Sequence, residues 1–205
     1  MTTATFDHSF SPSPAAASVS TGARGFVTYD ETNAPEEARP FLAGSLRQVG
    51  FIPVAVGRWA ETPALLKAFF HALALFERTS LSPLEREAVI MAVARENDCH
   101  LCQALHTAEL LDKAPRPTVS ALREGRPTGE DRLDALTAFT RSLLQRKGDA
   151  APAAWDGFLS AGFNRTQALE VVLLVATTSL STMANRLVEA PVDSQLAAFA
   201  PGRPL

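Results

Sequence analysis

The chain has 205 residues, 46% of them hydrophobic and 20% charged, with a formal net charge of −3. That length suits one well-buried domain with at most a tail, and the composition is that of an ordinary globular protein. The slight acidity gives no electrostatic basis for binding nucleic acid or an anionic membrane surface, and two cysteines cannot staple a fold of this size.

Residues 1–25 are rich in Ala, Ser, Thr and Pro, with no basic residue before Arg24 and no apolar core. They show neither a signal-peptide nor a transit-peptide pattern, and they read as a flexible arm ahead of a helical domain over 26–205. Strand-like alternation is confined to Phe26–Tyr29 and Phe51–Val56, and Pro53 weakens the second. Ala34-Pro35-Glu36-Glu37 looks like a helix start running toward Gly50, and a second helix is expected over Pro63–Arg78. A third begins at Ser82, where Ser82-Pro83-Leu84-Glu85 is a capping box with Pro at the first helical position. Its stretch Ala88–Ala94 is apolar on every side, the pattern of a helix buried all round.

Asn97 and Asp98 supply a break and an N-cap for a fourth helix, Cys99–Leu111, which Pro115 and Pro117 end. Further helices are expected over Glu130–Arg146, Pro152–Ser160 and Thr166–Val188. The fold class is therefore all-α. The longest uncharged run, Val171–Asn185, is too short and too rich in Thr and Ser to span a bilayer, so a cytoplasmic protein is expected. Glu87-AVIMAVA and Glu170-VVLLVA are faintly alike, which hints at an internal repeat.

Both cysteines fall in one constellation, Glu87-x11-Cys99-x2-Cys102-x3-His106. At about 100° per residue the two thiols and the imidazole lie within roughly a 60° arc of the fourth helix. Leu101, Ala104, Leu105, Ala108 and Leu111 occupy the other side, so the thiols are expected away from the main packing stripe. The helix N-terminus favours a thiolate there, and Asp98 opposes it. Glu87 enters a buried segment and needs a partner, for which His106 is the natural choice. A Glu–His–Cys chain would let the carboxylate orient the imidazole and the imidazole take the proton of Cys102.

Simpler readings stand beside this one. Two cysteines three apart can be small core residues, and a zinc site would have three ligands with Glu87 or His100 as a forced fourth. His71 reads as a core or edge histidine, Glu170 as a buried acid paired with Arg165 or Arg186, and Trp59 and Trp155 as packing residues.

The run LSPLEREAVIMAVARENDCHLCQALHTAEL resembles the core motif of alkylhydroperoxidase D-like proteins in the carboxymuconolactone decarboxylase-like superfamily. GFNRTQALEVVLLVATTSLSTMANRL is similar to the closing helix of the group's peroxidase-related members, Asn185 included. The resemblance implies an all-helical domain that assembles as a homotrimer or homohexamer. It implies Cys102 as the thiolate that attacks a hydroperoxide and Cys99 as the thiol that resolves the sulfenic acid as a disulfide. Glu87 and His106 would be the proton relay, and an external dithiol, lipoyl or thioredoxin-like, the reductant. No metal and no bound organic cofactor are implied. The family's characterised peroxidase has a second histidine where this chain has Leu101, and His100 is rotated about 100° from that position.

The function expected is thus a cysteine-dependent peroxidase or disulfide reductase. The alternatives are a decarboxylase-type lyase using His106 and Glu87 as acid and base, and a non-catalytic redox sensor.

Overall fold

A computed structural model describes residue 22 and residues 24–205. The expected N-terminal arm therefore lies almost wholly outside the described residues. Among the described residues nine α-helices follow in order: α1 Arg39–Val49, α2 Val54–Trp59, α3 Pro63–Phe76, α4 Pro83–Glu96, α5 His100–Leu111, α6 Arg116–Glu124, α7 Asp131–Gln145, α8 Pro152–Ser160 and α9 Arg165–Leu187, closed by a 3-10 turn Ser194–Phe199. No strand occurs among the described residues, so the all-α expectation holds.

The helix starts follow from chemistry that the chain repeats. Proline occupies the first or second position of α1, α3, α4, α6 and α8, where a missing N–H costs nothing. Capping boxes open α4 (Ser82 with Glu85) and α9 (Asn164 with Gln167), each cap contributing about 1 kcal/mol. Glu85 works twice: one carboxylate oxygen accepts from Ser82 N at 2.7 Å and the other from Arg132 Nε at 2.6 Å, joining α4 to α7.

Four expectations shift. The first helix begins at Arg39 because residues 36–38 form a turn. The Phe51–Val56 strand candidate runs into helix α2, with Pro53 as its N-cap. Phe26–Tyr29 forms no strand. Instead Tyr29 N–H donates to Gly57 O at 3.2 Å, and a Cβ on Gly57 would sit 2.7 Å from Tyr29 O. Pro115 and Pro117 end α5 and also start α6, with Pro115 as its N-cap.

Helix α4 is the central element and packs against α5, α6, α7 and α9. Ala88–Ala94 is buried throughout, as its all-round apolar pattern requires. One core region stacks Phe139, Phe158 and Phe163, with centroids 4.3 and 4.5 Å apart, and Arg132 lies 3.7 Å over the Phe163 ring. A second gathers α1, α2, α3 and the start of α5, and it contains both cysteines. Buried Arg58 ties this region to the end of α9: Nη1 donates to Val188 O and Glu189 O at 2.7 Å each, while Nε donates to Thr28 Oγ1. By length and composition α9 is apolar enough to cross a membrane. Its inner face packs against α3, α4 and α7, and 44% of its most apolar window is buried in the protein. Leu169, Val172, Met183 and Leu187 remain exposed on its outer face.

Candidate active site

The site is built where α4 ends and α5 begins. The turn between them is tight: Cys99 N–H donates to Ala94 O at 2.8 Å, and Asp98 takes φ +50°, a left-handed conformation that Asp tolerates. The N-cap of α5 is Cys99 and not Asp98, because Asp98 is spent on making the turn. Cys99 Sγ accepts the Cys102 N–H at 3.3 Å, so a sulfur fills the place usually taken by a Ser or Asp oxygen. Helix α9 clamps the turn from outside. Arg186 Nη1 donates to Asn97 O, Asp98 O and Asp98 Oδ2 at 2.8 to 3.0 Å, and Asn97 Nδ2 donates to Thr182 Oγ1 at 2.8 Å.

The thiols lie inside the packing and not on a free face, at 2% exposure for Cys99 and 5% for Cys102. Cys99 precedes the first turn of α5, so the helical arc expected for the thiols does not extend to it, and α9 covers that side as well. In the last turn of α9, Asn185 Nδ2 lies 3.2 Å from Cys102 Sγ and 3.7 Å from Cys99 Sγ. Asn185 was visible in the sequence as part of the closing-helix likeness, yet its place in the site was not. An amide on the buried face of a long apolar helix was the available signal.

The Glu87–His106 partnership forms as expected. His106 Nδ1 and Glu87 Oε2 are 2.8 Å apart, with side chains 21% and 12% exposed. Burial opposes the charge on each, but their mutual attraction and hydrogen bond outweigh it. Glu87 is held below its ordinary pKa, helped by Lys113 at 3.8 Å, and His106 is held above its own. No hydrogen bond joins His106 to either sulfur among the described residues, so the carboxylate–imidazole half of the expected relay stands alone at rest.

The two thiols titrate together: hydrogen bonding between the two cysteines is the largest influence and, with the Cys102 N–H, the Asn185 amide and the charge of His106, outweighs burial and lowers the first ionisation of the pair. That first charge, with burial, pushes the second ionisation upward.

Two cavities flank the site. A groove of about 810 Å³ is lined mainly by apolar side chains, Phe69, Phe70, Phe76 and Leu105 among them, with Glu87 and His106 on its wall. A smaller cleft of about 320 Å³ lies between the start of α5 and the end of α9 and reaches Cys99 and Asn185. Among the described residues no group of three or more His, Cys, Asp and Glu is placed to hold a metal.

The other singled-out residues lie elsewhere. His71 is exposed. Glu170 pairs with neither arginine: it accepts from Ser80 N at 2.9 Å and Ser80 Oγ at 2.8 Å, fixing the loop before α4. Trp59 packs edge-on to Phe69 in the core, and Trp155 against Phe158.

Residues 60–116, which contain the whole constellation, match the Carboxymuconolactone decarboxylase family. No curated protein matches the chain. Among solved structures, an uncharacterized peroxidase-related protein from Ralstonia eutropha JMP134 with an alkylhydroperoxidase AhpD core superposes with a TM-score of 0.69 at 18% identity, over 84% of this chain and 93% of its own. A peroxidase-related protein from Silicibacter sp. TM1040 superposes with a TM-score of 0.68 at 18% identity, over 83% and 90%. The debrominase Bmp8, as a cysteine-to-alanine variant in complex with 2,3,4-tribromopyrrole, gives a TM-score of 0.68 at 15% identity, over 80% and 89%. The motif-bearing segment therefore matches the carboxymuconolactone decarboxylase family, and the chain as a whole has the all-helical fold of the alkylhydroperoxidase D-like proteins.

Proposed function

We propose that the protein is a thiol-dependent oxidoreductase that reduces hydroperoxides through Cys99 and Cys102. The observation that carries this is the pair itself: two free thiols in one buried polar centre, one of them capping the N-terminus of α5 and both within reach of the Asn185 amide. In the reaction a cysteine thiolate attacks the terminal oxygen of the hydroperoxide and the O–O bond breaks. The alcohol leaves with a proton, and a sulfenic acid remains. The second thiol then displaces water to form the disulfide, and an external dithiol, lipoyl or thioredoxin-like, returns the two electrons. Glu87 and His106 would carry protons to the leaving oxygen and away from the thiols.

The family resemblance gives the attack to Cys102 and the resolution to Cys99. The arrangement in this chain supports the reverse order. Cys99 Sγ accepts the helix N–H and lines the α5–α9 cleft, which Cys102 does not. We therefore assign the attack to Cys99 and the resolution to Cys102.

A cytoplasmic location and a homotrimeric or homohexameric assembly are part of the same proposal, tested by fractionation and by light scattering. A second reading rests on one observation: Glu87 and His106 face the large apolar groove, which neither sulfur lines. An acid–base reaction there, of the lyase type, would not need the thiols.

Turnover separates the readings. Cumene hydroperoxide consumption with dihydrolipoamide is measured for wild type and for the Cys99→Ser, Cys102→Ser double variant, alongside bromide release from a bromopyrrole and turnover of a lactone panel. Sustained, cysteine-dependent consumption supports the peroxidase. Bromide release without peroxide turnover moves the dithiol chemistry to dehalogenation. One-equivalent oxidation alone marks a redox sensor, and lactone turnover by the cysteine-free variant supports the lyase.

A further inference from the structure

Asn185 is 6% exposed, and its amide is oriented with Nδ2 toward both sulfurs while Oδ1 is buried with no hydrogen-bond partner. That orientation has a cost, because a buried acceptor without a donor loses its hydration and gains nothing. Turning the amide over would offer Oδ1 a thiol S–H, but it would take from the sulfurs the side-chain N–H they now receive. For two neutral thiols, which are weak acceptors, the turned-over amide is the better choice. A thiolate reverses the preference, since hydrogen bonds to an ionised acceptor are roughly twice as strong. The backbone holds Asn185 in range. Thr182 and Arg186, on either side of it along α9, bond Asn97 and Asp98 in the turn that leads into Cys99.

We propose that Asn185 is a fifth catalytic residue, whose amide N–H binds the charged sulfur of the reduced Cys99–Cys102 pair and so sets both its reactivity and its tendency to be reduced. This rests on the dithiol reading above. The amide stabilises only the reduced, charged state, because a disulfide has no charge to bind. Its contribution therefore makes the disulfide easier to reduce, by the same logic that makes any stabilised thiolate a better oxidant when oxidised.

The test titrates the reduced protein by thiolate ultraviolet absorbance and measures its dithiol–disulfide equilibrium against glutathione, for wild type, Asn185→Ala and Asn185→Asp. Alanine removes the donor, and aspartate keeps the shape while placing a like charge against the thiolate. For Asn185→Ala the thiolate midpoint should rise by about one pH unit, a tenfold loss of thiolate at pH values below both midpoints. At pH values above both midpoints the disulfide should become about tenfold harder to reduce, and Asn185→Asp should move both further in the same direction. Variants that stay folded and keep the wild-type midpoint and equilibrium would overturn the proposal. Should both variants unfold, the wild type still decides: the Asn185 side-chain amide protons must shift with the thiolate midpoint in NMR, and amide signals indifferent to that titration overturn it equally. Neither readout requires peroxide turnover. Wild-type thiols that titrate low yet ignore hydroperoxide would reject the peroxidase reading alone, and unshifted variants of a peroxide-active protein would reject the Asn185 role alone.

Discussion

Replacing Glu87 by glutamine tests whether the buried Glu87–His106 contact is an ion pair. The substitution keeps the shape and the acceptor oxygen but removes the charge that opposes His106 across 2.8 Å. A hydrogen bond to a charged partner contributes about 1.5–3 kcal/mol, against about 1 for a neutral one, so the loss should be about 1.5 kcal/mol when both groups are charged. For a chain of this length that is a fall in Tm of about 3–6 °C.

The sign of its pH dependence follows from the two shifts. Glu87 is depressed, so its contribution is complete above the ordinary value of 4.5 and is lost as pH falls through its folded pKa. His106 is raised, so its contribution is complete below the ordinary value of 6.5 and is lost as pH rises through its folded pKa. The Tm gap between wild type and Glu87→Gln should therefore be widest between about pH 4.5 and 6.5 and narrow on the alkaline side, leaving a residue from Lys113. Differential scanning calorimetry at about pH 5.5 and pH 9 measures it. An equal gap at both values would refute the ion pair and leave a neutral hydrogen bond in its place.

Two further predictions concern the frame. Phe158→Ala removes a fully buried ring stacked between Phe139 and Phe163 and should cost about 3–5 kcal/mol in urea unfolding. A loss under 1 kcal/mol would mean the aromatic stack is not part of the core. Gly57→Ala forces a methyl to 2.7 Å from Tyr29 O and should cost about 1–3 kcal/mol, seen as a lower denaturant midpoint with an unchanged slope. No change would show that Tyr29 does not pack on α2 in solution.

The chain shows its helices where local chemistry and tertiary packing agree. Ser82-Pro83-Leu84-Glu85 marks the start of α4 because the cap uses residues within one turn of each other. It hides them where one residue type serves two ends: Pro115 reads as a stop for α5, and only the fold shows that α6 begins there. In the site, Glu87 and His106 could be paired in advance because burial of a carboxylate demands a partner and the spacing offered one. The surroundings of the thiols could not. Helical periodicity reports which side of α5 Cys102 occupies, but α9 comes to cover that side from eighty residues away, bringing Asn185 with it. The pairings of Glu170 with Ser80 and of Arg186 with Asp98 were hidden for the same reason, since charge complementarity alone does not choose among long-range partners.

The most direct measurement is mass spectrometry of the reduced protein after one equivalent of cumene hydroperoxide, with thiols alkylated at the quench. Wild type, Cys99→Ser and Cys102→Ser are treated side by side. A Cys99–Cys102 disulfide in wild type, with a sulfenic acid trapped on Cys99 in Cys102→Ser, is the expected result. A sulfenic acid forming instead on Cys102 in Cys99→Ser would contradict the assigned order of the two sulfurs. Cysteines that stay fully alkylatable in wild type would contradict the dithiol chemistry itself.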